Sequence, residues 1–225
     1  MKFFLTFLIG FVTYSGRTQN LLSNSSFEDS LLNAWSSPLS KCYDIAPNIC
    51  SRTDGIDNFI DFNAQNGKKC LYLSLFQCYT QWSDFITQPI PRLIKGKKYQ
   101  ISFYITPDDS TGYFSKEIHF LTCDSNYFYQ NVSCVTNGKI SLTPTLIFDI
   151  SRFKQTGQQG NWSLISGEFI ADGSENFIAI GRFTKKGDKN VSTRIFHYKP
   201  SRRQLKEQFC AADYYLDSFS LIPND

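Results

Sequence analysis

The chain has 225 residues, a formal net charge of +3, 41% hydrophobic residues and only 19% charged ones. That balance excludes a disordered chain and a coiled coil, and it leaves enough apolar material for one well-filled core. Aromatics reach 16%, with 21 Phe and 12 Tyr against a single Met, and such flat, stiff side chains suit strands and sandwich cores.

The first residues read MKFFLTFLIGFVTYSGRTQ. Lys2 gives a positive start, and the apolar run Phe3 to Val12 is too short to span a bilayer. This pattern predicts a secretory signal peptide over 1–19, leaving 20–225 as a single domain of the mature chain. No later apolar run is long enough to cross a membrane. The expected location is therefore outside the cell or on its surface.

From there the chain reads as a series of short strands. Asn20 to Asp29 (NLLSNSSFED) starts one at Leu21 and Leu22, and Phe27 anchors an irregular bend into the core. The stretch 36–61 is rich in Ser, Pro, Asn, Asp and Cys and reads as a long loop. Asn66-Gly67 is a turn. It leads into Cys70 to Phe76 (CLYLSLF), where Leu71, Leu73 and Leu75 share one face. Trp82 to Gln88 is a further strand, ended by Pro89 and Pro91.

The clearest element is Lys95 to Ile105 (KGKKYQISFYI). Tyr99, Ile101, Phe103 and Ile105 fall on one side of an extended chain, and Gln100, Ser102 and Tyr104 on the other. Lys116 to Cys123 alternates again, with Ile118 and Phe120 opposite Glu117 and His119. Asp124 to Lys139 reads as a polar loop carrying Tyr127, Phe128 and Tyr129. Leu142 to Ile150 is strand-like. Trp162 to Ile170 and Asn176 to Phe183 read as a hairpin around Asp172-Gly173. Ala212 to Ile222 (ADYYLDSFSLI) closes the domain. Roughly ten such segments with regular turn signals predict an all-β fold, a two-sheet antiparallel β-sandwich of the jelly-roll kind. No helix longer than a turn shows a convincing period.

Seven cysteines are present, and after export they are available for disulfides. None shows the CxxC spacing of a zinc or redox site. Cys42 with Cys50, and Cys123 with Cys134, flank loop-like residues and are the favoured local pairs. Cys70 and Cys78 meet only if the chain turns between them. The odd count leaves at least one thiol without an internal partner, and Cys210 is the first candidate.

Four segments carry a resemblance: NLLSNSSFED followed by Trp35, LIKGKKYQISFYI, NWSLISGEFIADGSENFIAIGRF and YYLDSFSLI. Together they resemble the galactose-binding-domain-like jelly rolls, the architecture of carbohydrate-binding modules of the four/nine/twenty-two group. The likeness extends to secreted Bacteroidetes proteins in which such a module often precedes an outer-membrane-anchoring or sorting domain. The resemblance implies a calcium ion joining the first and last strands, with Glu28 and Asp217 as its carboxylate ligands. The alternative is that these two acids hydrogen-bond loop backbone. It also implies aromatic stacking on sugar rings. Tyr127, Tyr129, Trp82, Tyr113 and Tyr43 lie off the core pattern and are the candidate ligand residues. Trp35 and Trp162 sit where the family packs core rings.

Nothing in the sequence announces catalysis. There are two His, His119 and His197, with no HExxH, no GxSxG and no phosphate-cradling glycine loop. His119 is expected on a polar strand face, solvated or hydrogen-bonded. Between Arg182 and Lys206 there are nine Lys or Arg against one acid, Asp188, a segment able to attract an anionic glycan or to lie solvated. Nucleic acid is not an expected partner. The sequons at Asn24, Asn131, Asn161 and Asn190 bear on glycosylation only in a eukaryotic secretory route. The reading is a secreted, non-catalytic module for an extracellular glycan, neutral or anionic. The alternative is a structural or assembly component of the cell surface that binds protein partners.

Overall fold

The computed structural model describes residues 19–28, 35–36, 59–60, 64–77, 83–109, 111–131, 142–153, 160–183, 191–193 and 211–224. Its strands are β1 (Phe59–Ile60), β2 (Cys70–Gln77), β3 (Phe85–Pro89), β4 (Lys98–Pro107), β5 (Tyr113–Ser115), β6 (Glu117–Cys123), β7 (Leu146–Asp149), β8 (Ser163–Ile170), β9 (Phe177–Gly181), β10 (Val191–Thr193) and β11 (Ala211–Pro223). One sheet has the order β1-β2-β11-β4-β8 and the other β3-β9-β6-β7, with β5 and β10 paired apart from both. Every pairing is antiparallel. The fold is the expected all-β, two-sheet sandwich.

Alternation decides which side chains meet between the sheets. Leu71, Leu73 and Leu75 of β2, Ile101, Phe103 and Ile105 of β4, and Tyr214, Leu216, Phe219 and Leu221 of β11 face inward from the first sheet. Ile86, Ile118, Phe120, Phe148, Ile178 and Ile180 answer from the second. Each of these rings and branched chains contributes about 1.5–3 kcal/mol by leaving water. Phe219 sits at the centre, with its ring centroid 5.2 Å from both Trp35 and Phe103 and 5.6 Å from Phe27. Trp35 is thus a core residue, as expected, and its Nε1 donates to the Asn24 carbonyl at 3.1 Å.

The structure corrects four expectations. Leu21 and Leu22 do not start a strand. Positive φ values at Asn24 (43°) and Phe27 (59°) fold the chain over, and the Leu21 N–H reaches the Leu221 carbonyl at 2.9 Å while its side chain packs against the core. The loop at Tyr127 to Tyr129 is a helix, α1 (Ser125–Asn131). The expected hairpin around Asp172-Gly173 is a crossing between layers. There β8 pairs β4 in one sheet, while β9 pairs β3 and β6 in the other. The crossing segment runs along residues 90–96, with Gly96 N–H to Ala171 O, Leu93 N–H to Glu175 O and Ile90 N–H to Asn176 O, each at 2.8–2.9 Å. The carboxylate of Glu175 closes it by accepting the N–H groups of Asp172 and Gly173, both at 2.8 Å.

The placement of His119 is the fourth: it is hydrogen-bonded, as expected, but buried instead of on a wet face, with Nδ1 accepting the Phe183 N–H at 3.1 Å and Nε2 3.1 Å from Glu117 Oε2. An imidazole that accepts at Nδ1 carries its proton on Nε2 and donates it to Glu117.

The burial of His119 has a cause. The outer face of the four-stranded sheet is itself apolar. Phe85, Leu121, Cys123, Phe177 and Ala179 point away from the sandwich interior and form a second cluster with Phe128 of α1, Leu142 and Phe183. Gly181 allows β9 to approach β3 closely here, since a Cβ on it would fall 2.4 Å from the Asp84 carbonyl oxygen. One sheet is therefore packed on both faces, whereas the outer face of the five-stranded sheet carries Gln100, Ser102 and Glu168 beside the exposed Leu164 and Ile170.

Candidate functional site

The first candidate is built on α1. Asp124 caps it: its Oδ1 accepts the Asn126 N–H at 2.9 Å, and its carbonyl accepts the Phe128 N–H at 3.1 Å. Asn176, from the crossing before β9, accepts the Ser125 N–H at 2.9 Å. Phe128 is fully buried, its ring centroid 4.9 Å from Phe177 and 5.8 Å from Phe85. This anchor lays the helix across the sheet. Its neighbours Tyr127 and Tyr129 are 45% and 44% exposed, and Asn126 and Gln130 are exposed beside them. Helical positions two apart differ by about 200°, so the two phenols flank Phe128 instead of forming one flat platform. The Tyr129 ring also rests 5.6 Å from Phe177.

Tyr113 does not join them. It lies on β5, half-buried, with its ring 5.7 Å from Phe76. β5 precedes β6 and α1 follows it, so the length of β6 separates the two places. Trp82 and Tyr43 lie outside the described residues, as do residues 1–18 of the expected signal peptide, Cys42, Cys50, Cys78, Cys134 and Cys210, and nearly all of the basic segment.

The second candidate escaped the sequence reading. On the outer face of the five-stranded sheet, Tyr72 stands opposite Tyr215 and Ser74 opposite Asp213. The rings of Tyr72 and Tyr215 are 5.5 Å apart. The Tyr72 hydroxyl donates to Asp213 Oδ2 and the Ser74 hydroxyl to Asp213 Oδ1, both at 2.5 Å. Burial pushes both phenols well above their ordinary range, and Asp213 beside Tyr72 and Asp108 beside Tyr215 add to it. Both stay neutral donors. Asp84 lies next to this group. Burial, then the charge of Asp213, raises its carboxyl to about 7, against the opposing pull of the Ser74 N–H. The available signal was the wet side of CLYLSLF and ADYYLDSFSLI, the faces opposite the leucines.

The two acids expected to hold calcium converge on one turn. Glu28 Oε1 accepts the N–H groups of Lys68 and Lys69 at 2.7 and 2.8 Å. Asp217 Oδ2 accepts the Asn66 N–H at 3.0 Å, and its Oδ1 accepts its neighbour Ser218's N–H at 2.6 Å. The amides of Lys69 and Lys68 hold Glu28 below the usual carboxylate range, whereas burial raises Asp217 despite its donors. Calcium takes six to eight oxygens. Among the described residues no group of three His, Cys, Asp or Glu side chains is placed to hold a metal. The two carboxylates alone supply four oxygens, fewer than a calcium shell takes, and three of them are bonded to loop backbone here.

Cys70 and Cys123 are buried free thiols, and Cys134, the expected partner of Cys123, lies outside the described residues. Cys123 faces the second apolar cluster under α1. Burial pushes both thiols up to about 12, with Asp217 and Glu28 adding to it at Cys70, and Asp124 and Glu175 at Cys123. Among the described residues no helix is long and apolar enough to cross a membrane.

No family model and no curated protein matches the chain. Several solved structures are similar to it in fold. The CBM22-1 xylan-binding domain of Xyn10C from Paenibacillus barcinonensis aligns with a TM-score of 0.46 at 13% identity, over 92% of this chain and 95% of that one. The K1 cleaved adhesin domain of Lys-gingipain from Porphyromonas gingivalis W83 gives 0.45 at 13% identity, over 89% and 96%. The N-terminal cellulose-binding domain of β-1,4-glucanase C from Cellulomonas fimi gives 0.37 at 10% identity, over 69% and 79%. The likeness is one of chain path, and the chemistry of any site rests on this chain's own residues.

Proposed function

We propose that the chain is a secreted, non-catalytic module that binds an extracellular glycan on the tyrosines of α1. The observation that supports it is the pairing of exposure with rigidity at Tyr127 and Tyr129. Two half-exposed rings sit on either side of one fully buried residue, Phe128, the Tyr129 ring rests on Phe128 and Phe177, and exposed amides flank them. Aromatic faces take the apolar side of a pyranose, and amides bond its hydroxyls. Fixing the rings in advance reduces the ordering cost of binding. The amides Asn126 and Gln130 suit a neutral polysaccharide better than an anionic one.

Affinity electrophoresis of residues 20–225 through gels containing xylan, a soluble cellulose or polygalacturonate tests this reading. Retardation by a neutral polysaccharide is expected, weakened by about two- to tenfold in Tyr127→Ala and Tyr129→Ala. No retardation in any gel, or variants that run like the parent, would refute it. One observation favours a protein-binding surface component instead. Leu164 and Ile170 stand 52% and 68% exposed on the outer face of β8, at the end of its sheet.

A further inference from the structure

The edges of a sheet are where a sandwich lies open to another chain, because they present unpaired N–H and C=O groups. Among the described residues the two large sheets have four edges, and three of them are blunted. β1 is two residues long and β7 four. β3 ends in Pro89, and its Thr87 exchanges both backbone bonds with Ser36, at 2.8 and 2.9 Å. The fourth edge, β8, is eight residues long and has β4 as its one neighbour among the described residues.

The register fixes which groups β8 leaves open. Its ladder sets Ile165 against Phe103, Gly167 against Ile101 and Phe169 against Tyr99, and the Ala171 N–H continues it to the Lys97 carbonyl at 3.0 Å. In an antiparallel pair the bonds to one neighbour fall on every second residue. Leu164, Ser166, Glu168 and Ile170 therefore turn their N–H and C=O groups away from β4. Arg152 agrees with that direction, since its Nη2 donates to the Leu164 carbonyl at 3.3 Å. The side chains of the same four residues are exposed on the outer face. Glu168 is met there by Lys98 Nζ at 3.3 Å and by the Asn224 amide.

The four positions read the same in both directions about Gly167: apolar, polar, polar, apolar. We propose that β8 is a self-pairing edge, on which a second copy of this chain adds its own β8 antiparallel about a two-fold axis at Gly167, joining two five-stranded sheets into one. In that register Leu164 stands opposite Ile170 of the second copy and Ser166 opposite its Glu168, and each pair exchanges N–H and C=O groups. Moving the axis to Glu168 sets two like charges against each other. Moving it to Ser166 sets Leu164 against Glu168. The side chains thus select one register. Gly167 suits the axis, where the two backbones form a non-hydrogen-bonded pair with Cα atoms about 4.5 Å apart. It brings no side chain there, and its inner side is already filled, since a Cβ on it would lie 2.7 Å from the Phe148 ring. Arg152 must give up the Leu164 carbonyl, a long bond in an exposed position. A single strand edge buries less than the about 1,600 Å² of a standard interface, so the expected pairing is weak, with a dissociation constant of about 100 µM. α1 lies on the other sheet, so this pairing and the glycan reading succeed or fail separately.

The test is made on the 20–225 chain. Sedimentation equilibrium from about 10 µM to about 1 mM is expected to show a monomer–dimer equilibrium. Over the same range amide–water exchange, read by NMR, should slow about fourfold at Leu164, Ser166, Glu168 and Ile170, as the monomer fraction falls. The amides of Ile165, Gly167 and Phe169, already bonded to β4, should not change. Ser166→Pro removes an N–H that faces only the open edge and should keep the chain monomeric. If Ser166→Pro does not fold, Ile170→Lys serves instead, setting a charge against Leu164 of the second copy. A chain that stays monomeric to about 1 mM overturns the proposal and leaves the edge to a foreign strand. A dimer whose four edge amides exchange as fast as in the monomer, or one that survives these substitutions, does so equally.

Discussion

Glu28 fills the space that a side chain on residue 67 would need. A Cβ built on Gly67 would lie 2.3 Å from Glu28 Oε1, and Gly67 has a φ of +79°. The turn at 65–69 is thus glycine-dependent twice over, through its backbone angle and through the carboxylate that grips it. Gly67→Ala is expected to cost about 1–2 kcal/mol from the left-handed backbone alone, and to push Glu28 off the Lys68 and Lys69 amides. Urea denaturation measures the loss. An alanine variant as stable as the parent would show that the turn is not held as described.

The same turn makes a prediction about metal. Glu28 and Asp217 satisfy their charge with backbone N–H groups, so the clamp is expected to stand without calcium. Unfolding midpoints in excess EDTA and in millimolar calcium should agree to within about 1 °C, since a ligand that does not bind the folded state does not stabilise it. A rise of several degrees with calcium would show that backbone oxygens complete a shell around these two acids.

The two buried thiols give a third. A thiol raised to about 12 by burial holds almost no thiolate at pH 8, and the thiolate is the reacting form. Native alkylation with iodoacetamide at pH 8, read by peptide mass mapping, should leave Cys70 and Cys123 unmodified. Both should react fully in denaturant after reduction. Rapid native labelling of Cys123 would mean that α1 does not cover it.

The layered fold was legible where one side of a strand was greasy and the other wet. Ile101 and Phe103 announce their face unaided, and both are fully buried. The same habit of reading hid the rest. Attention to Leu71, Leu73 and Leu75 passed over Tyr72 and Ser74, whose partners Tyr215 and Asp213 sit at matching positions about 140 residues later. Strand β9 is buried at all five positions, which marks a strand covered on both faces and argues against a simple hairpin with β8. Helix α1 is only seven residues long, too short to show a period, and its one signal was the capping Asp124. Tyr127 and Tyr129 were legible as off-core rings. Their fixing by Phe128 was not, because Phe85 and Phe177 come from distant strands.

The glycan reading rests on α1, and chemical-shift mapping probes it most directly. Xylo- and cello-oligosaccharides are titrated into the isotopically labelled 20–225 chain. The account predicts that at least one series moves the amides of Asn126 to Gln130 and the ring resonances of Tyr127 and Tyr129, with saturation. Saturable shifts confined to the Tyr72–Tyr215 face, or no shifts with either series, would contradict it.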